Sequence, residues 1–125
     1  MNGEERLGLA ARQLIAEAAV NEKVNVSAIT PWEIALLTHK GRIALGRDPM
    51  AWIDAALAMP GVMRAPIEPE IAVETVRLPA GLHNDPADRF IVATARHHGW
   101  SLITADAALL AYGAAGHVKV VDARL

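Results

Sequence analysis

The chain has 125 residues, of which 53% are hydrophobic and 21% charged, with a formal net charge of −2. That length and balance describe one globular domain able to bury a core and exclude a disordered chain. No cysteine is present, which rules out a disulfide framework or a thiolate zinc site, and the small negative charge provides no general attraction to nucleic acid.

The first predicted element is a helix from Glu4 to Ala19, where Leu7, Ala10, Ala11, Leu14, Ile15 and Ala18 recur at three- and four-residue spacing. "KVNVSA" comes next as a short alternating strand ending at Ser27 or Ala28. "TPWEIALLTHKG" reads as a helix with Thr30 as N-cap, Pro31 at the first position and Gly41 as terminator. "RDPMAWIDAALAMPG" repeats that grammar with Asp48 as cap and Pro49 opening the helix.

"VMRAPI" is a strand that Pro66 confines to an edge or ends early. "EPEIAVETVRLP" is a short helix, and "DPADRFIVATARHHG" is another cap, proline and stripe, closed at Gly99. "SLITA" is a buried strand, "DAALLAYG" a short helix and "VKVVDA" a last strand. Alternating strands and helices predict an α/β domain around a mainly parallel sheet, 1–125 forming a single domain. No window reaches the roughly 18 apolar residues of a membrane span. The charged, amphipathic N-terminus does not read as a signal peptide, so a soluble cytoplasmic protein is expected.

Four acids are candidates, three of them read as standing at strand-to-helix junctions. Glu33 stands three residues after Thr30, which fits a capping box, yet it also lies just past the carboxyl end of a strand, where open α/β sheets collect ligands. Asp85 precedes a proline and reads as a helix cap. Asp88 either serves the same helix N-terminus, pairs with Arg89, or faces a site. Asp106 comes directly after "SLITA" and either caps the next helix or lines the strand's end, with Thr104 alternating onto the same side.

One such acid is weak evidence; several at equivalent junctions are stronger, because the fold gathers those junctions. Crowded carboxylates raise one another's pKa unless a cation neutralises them. Oxygen ligands select Mg²⁺ or Mn²⁺ over zinc, and such an ion stabilises charge on a phosphoryl group. The reaction class suggested is metal-assisted phosphodiester hydrolysis. His83 can approach the acids or be an ordinary loop histidine, while His97 and His98 are placed to meet a helix dipole. Neither a P-loop, a dinucleotide fingerprint nor a nucleophile elbow occurs.

"VSAITPWEIALLTHKGRI", "LHNDPADRFIVATARHHGWSLITAD" and the closing "VKVVDA" together resemble PIN domains, specifically the VapC-type toxins of bacterial toxin–antitoxin pairs. The resemblance implies a three-layer α/β/α sandwich and a Mg²⁺- or Mn²⁺-dependent endoribonuclease that forms a homodimer and is neutralised by a small antitoxin protein. By motif, Glu33, Asp88 and Asp106 match the family's acidic metal ligands, and Thr104 matches the hydroxyl residue accompanying the last acid. Asp85 matches a capping position.

The family pattern opens with an apolar strand ending in a ligand aspartate; this sequence starts at "MNGEERLGLAA", which resembles the family's residues after that strand. A weakened or inactive ribonuclease is therefore expected. The alternative is a non-catalytic module that keeps the scaffold and binds an antitoxin or another protein. Arg42, Arg47 and Arg89 are candidates to grip RNA, with solvated surface roles as the plainer reading. Trp32, Leu36, Leu37 and Trp52 belong either to a dimer face or, as tryptophans at helical spacing suggest, to the core.

Overall fold

In a computed structural model, residues 24–124 are described. The helix expected from Glu4 to Ala19 lies outside them. The described elements run β1 (Val24–Ser27), α1 (Ile29–His39), α2 (Pro49–Leu57), β2 (Val62–Ala65), α3 (Pro69–Arg77), α4 (Pro86–His98), β3 (Leu102–Thr104), α5 (Ala107–Ala114) and β4 (Val120–Asp122). Strands and helices alternate and the strands pair in parallel, which is the expected α/β class. The chain divides into two compact units, Met1–Ala65 and Pro66–Leu125.

In the first unit β1 pairs with β2, Val24 opposite Val62 and Ser27 opposite Ala65. Pro66 cannot donate to a ladder, and β2 stops one residue before it. Asp48 caps α2 as expected: its Oδ2 accepts from the Met50 and Ala51 N–H groups at 3.0 and 3.2 Å, ahead of Pro49.

The start of α1 corrects the sequence reading. Its N-cap is Ala28, and no side chain caps it. Ser27 Oγ accepts from the Ile29 N–H at 3.2 Å and turns the chain into the helix early. Thr30 therefore stands inside the helix and is not its N-cap. It cannot anchor a capping box with Glu33, which falls beyond the first turn. Trp32 is also corrected: it is 47% exposed and is not core.

The second unit holds the clearer core. Ile71 of α3 and Val92 of α4 are fully buried, joined by Leu78, Leu82, Ala93, Ala95, Leu109, Tyr112 and Val118. Burying a side chain such as Ile71 or Val92 stabilises the fold by about 1.5–3 kcal/mol. β3 pairs in parallel with β4, Leu102 opposite Val120 and Thr104 opposite Asp122. α4 ends on Gly99 at φ 69°, a left-handed position that favours glycine, with the Gly99 N–H donating to the Arg96 carbonyl. Arg96, His97 and His98 occupy its last turn, where the helix dipole favours them.

Candidate metal centre

Two helix N-termini of the second unit bring the aspartates together. Asp85 is the N-cap of α4: its Oδ1 accepts from the Asp88 N–H at 3.1 Å, the role expected of it. Asp88 is thereby set at the third helical position. Asp106 lies just past β3 and caps α5, accepting from the Leu109 N–H at 3.0 Å. Thr104 is the last residue of β3 and is buried; its Oγ1 accepts from the Asp106 N–H at 3.1 Å and shapes the turn from strand into helix. Asp106 is thus a helix cap, and the same geometry aims it at Asp88.

His83 completes the cluster. Ligand atoms of His83, Asp88 and Asp106 all lie within 4.8 Å of one another. His83 Nε2 stands 3.2 Å from Asp88 Oδ2, and its Nδ1 accepts from the Asp85 N–H at 3.2 Å. The sequence left His83 open between a loop and the site. The sign that would have favoured the site is its spacing: two residues before a capping aspartate, a ring can fold back onto the first helical turn.

Burial pushes the Asp88 carboxyl up to about 6, with the charges of Asp85 and Asp106 adding to the rise and His83 opposing it. Ionising Asp88 here places a second negative charge beside Asp106 in a partly desolvated corner. A divalent cation relieves that cost, so the donor set has the electrostatics of a hard-metal site.

Glu33 lies on α1 of the first unit and is half-buried. Among the described ion pairs none joins Arg89 to Asp88, and the Arg89 guanidinium holds carbonyls of the protein itself. Its Nε donates to the Thr75 carbonyl at 3.0 Å, and one terminal nitrogen donates to the Leu82 and His83 carbonyls, each at 3.2 Å. The motif Asp-Arg therefore joins one residue of the acidic cluster to one that ties down the neighbouring loop. Arg42 and Arg47 are exposed on the first unit.

Comparison with known proteins bears on the family and the fold. The family profile described as PIN domain matches residues 2–115. Ribonuclease VapC22 of Mycobacterium tuberculosis (strain ATCC 25618 / H37Rv) is 38% identical over 102 residues, covering 82% of this chain and 75% of that protein. The fold is shared with the crystal structure of VapBC2 from Rickettsia felis bound to a DNA fragment from their promoter, at TM-score 0.66 and 14% identity over 90% of this chain and 84% of the other. It is shared too with FitAB bound to the IR36 DNA fragment, at TM-score 0.56 and 22% identity, covering 98% of this chain and 85% of that one. With a family match through nearly its whole length and a close-spaced pair of aspartates at two helix N-termini, the chain belongs to the PIN domain family, in its VapC-type branch.

Proposed function

We propose that this chain, acting as a single PIN-like domain, is a divalent-metal-dependent endoribonuclease toxin that hydrolyses RNA phosphodiester bonds. The observation that carries the reading is the approach of Asp88 and Asp106 to within 4.8 Å at the start of two helices, where Asp88 resists ionising without a cation. Asp88, Asp106 and Glu33 are the residues assigned to hold Mg²⁺ or Mn²⁺. When bound, the ion supplies positive charge where negative charge grows on the phosphoryl group under attack by water.

The chain's own residues do the rest. Thr104 holds the turn that aims Asp106. Asp85 fixes the first turn of α4 and hence the place of Asp88. Arg42 and Arg47 are assigned to the RNA backbone, so cleavage should weaken with added salt.

The similar VapBC2 and FitAB structures support a small antitoxin protein as partner. A homodimer and a cytoplasmic setting belong to the same proposal. No helix among the described residues is long and apolar enough to cross a membrane. The test is cleavage of a mixed RNA substrate with Mg²⁺ or Mn²⁺, compared with chelator. Asp88→Asn and Asp106→Asn should each abolish the metal-dependent cleavage. Unchanged rates in both would refute the assignment, and no Mn²⁺ binding with retained affinity for a small protein partner would make the chain a non-catalytic module.

A further inference from the structure

We infer that His83 is a positioning residue of this cation site: it holds the Asp88 carboxylate in place through Nε2–H and is not itself a metal ligand. The inference rests on the metal-site reading above and deepens it. Two hydrogen bonds and one close polar contact form a closed circuit. The Asp85 side chain accepts from the Asp88 backbone N–H at 3.1 Å, and the Asp85 backbone N–H donates to His83 Nδ1 at 3.2 Å. His83 Nε2 then reaches Asp88 Oδ2 at 3.2 Å. The backbone of α4's first turn and the side chain of Asp88 are thus fixed from one cap.

The circuit also decides the ring's proton. A backbone N–H can only donate, so Nδ1 must offer its lone pair, and in the neutral ring the hydrogen sits on Nε2. An Nε2 that bears hydrogen donates to the carboxylate and has no lone pair for a cation. The donors left to the ion are carboxylate oxygens, the set that suits Mg²⁺ or Mn²⁺ rather than zinc. Arg89 secures the loop from the other side by donating to the His83 and Leu82 carbonyls, so the imidazole does not depend on a free loop for its place. Outer partners of this kind orient the ligands they touch and tune the ion they hold.

The experiment uses the full chain, with Mn²⁺ as calorimetric probe and ¹⁵N NMR of the imidazole in the metal-free and Mg²⁺-loaded protein. The ring should show hydrogen on Nε2 in both states. His83→Ala should weaken Mn²⁺ binding by about tenfold, in the range typical for loss of an outer partner. His83→Gln keeps an N–H donor at similar reach and should restore most of that affinity. Hydrogen on Nδ1, a Mg²⁺-induced loss of the Nε2 hydrogen, or wild-type affinity in His83→Ala would each overturn the inference. If Asp88→Asn and Asp106→Asn lose Mn²⁺ while His83→Ala keeps it, the positioning role fails and the metal site stands. If all three bind Mn²⁺ like the wild type, the metal site itself fails.

Discussion

Asp88 carries a conflict between stability and chemistry. Its carboxyl is raised from 3.8 to about 6 in the fold, so between those values the folded chain holds a proton that the unfolded chain has released. Stability from this group is present below the lower value and is lost as pH rises toward the upper one. By neutral pH the ionised group costs the fold about 1–3 kcal/mol. Asp88→Asn removes the charge and keeps the shape. In chelator at pH 7.5 it should melt above the wild type, and the gap should close near pH 4. A melting series showing the wild type equally stable across that range would mean the corner is better solvated than its burial implies.

Arg89 makes a different point about a single residue. An arginine beside an aspartate reads as an ion pair, but its planar fork is spent on three carbonyls of Thr75, Leu82 and His83. Arg89→Ala leaves those acceptors without their charged donor and should cost roughly 2–4 kcal/mol in chemical denaturation. Arg89→Lys cannot span all three and should recover only part of it.

Among the elements, α5 packs tightly on β4 at Gly113. A Cβ placed on Gly113 would lie 2.5 and 2.6 Å from the two Val120 methyl carbons. Alanine is the better helix former by roughly 1 kcal/mol, so an exposed helix would gain from Gly113→Ala. Here the stiff branched side chain of Val120 cannot swing away cheaply, and overpacking of about 1–3 kcal/mol should win. The variant is expected to melt lower, and adding Val120→Ala should recover more stability than the two changes predict separately. Because β4 lies beside β3, whose last residue Thr104 sets the turn into Asp106, the strain would also be felt at the site.

Across the chain, binding and folding are linked. A cation that meets Asp88 and Asp106 only when the second unit is folded stabilises it by about 2.7 kcal/mol at a hundred times its dissociation constant. Mn²⁺ should therefore raise the melting temperature of the wild type and leave that of the Asp88→Asn, Asp106→Asn double variant unmoved. A rise of equal size in both would place the ion elsewhere. The family match runs from residue 2 to 115 and so passes through both compact units. Glu33→Gln, tested for Mn²⁺ affinity, measures directly the contribution proposed for that residue.

Much of this was legible in the order of residues because the signals are local. Cap, proline and apolar stripe recur at Asp48-Pro49 and Asp85-Pro86, and the helices α2 and α4 begin there. Such patterns act over a single turn, within the reach of adjacent side chains and backbone groups. Thr30-Pro31 shows the limit: the same local grammar pointed to a cap, but the hydroxyl of Ser27 starts α1 earlier. The approach of His83, Asp88 and Asp106 spans 24 positions of chain counted inclusively, and its distances depend on how α4 packs against β3 and α5 against β4. Residue types and motifs could name the aspartates. Only packing could supply the desolvation that raises Asp88, the hydrogen bond that fixes the His83 tautomer and the carbonyls that claim Arg89, since each is a property of distance and burial rather than of order along the chain.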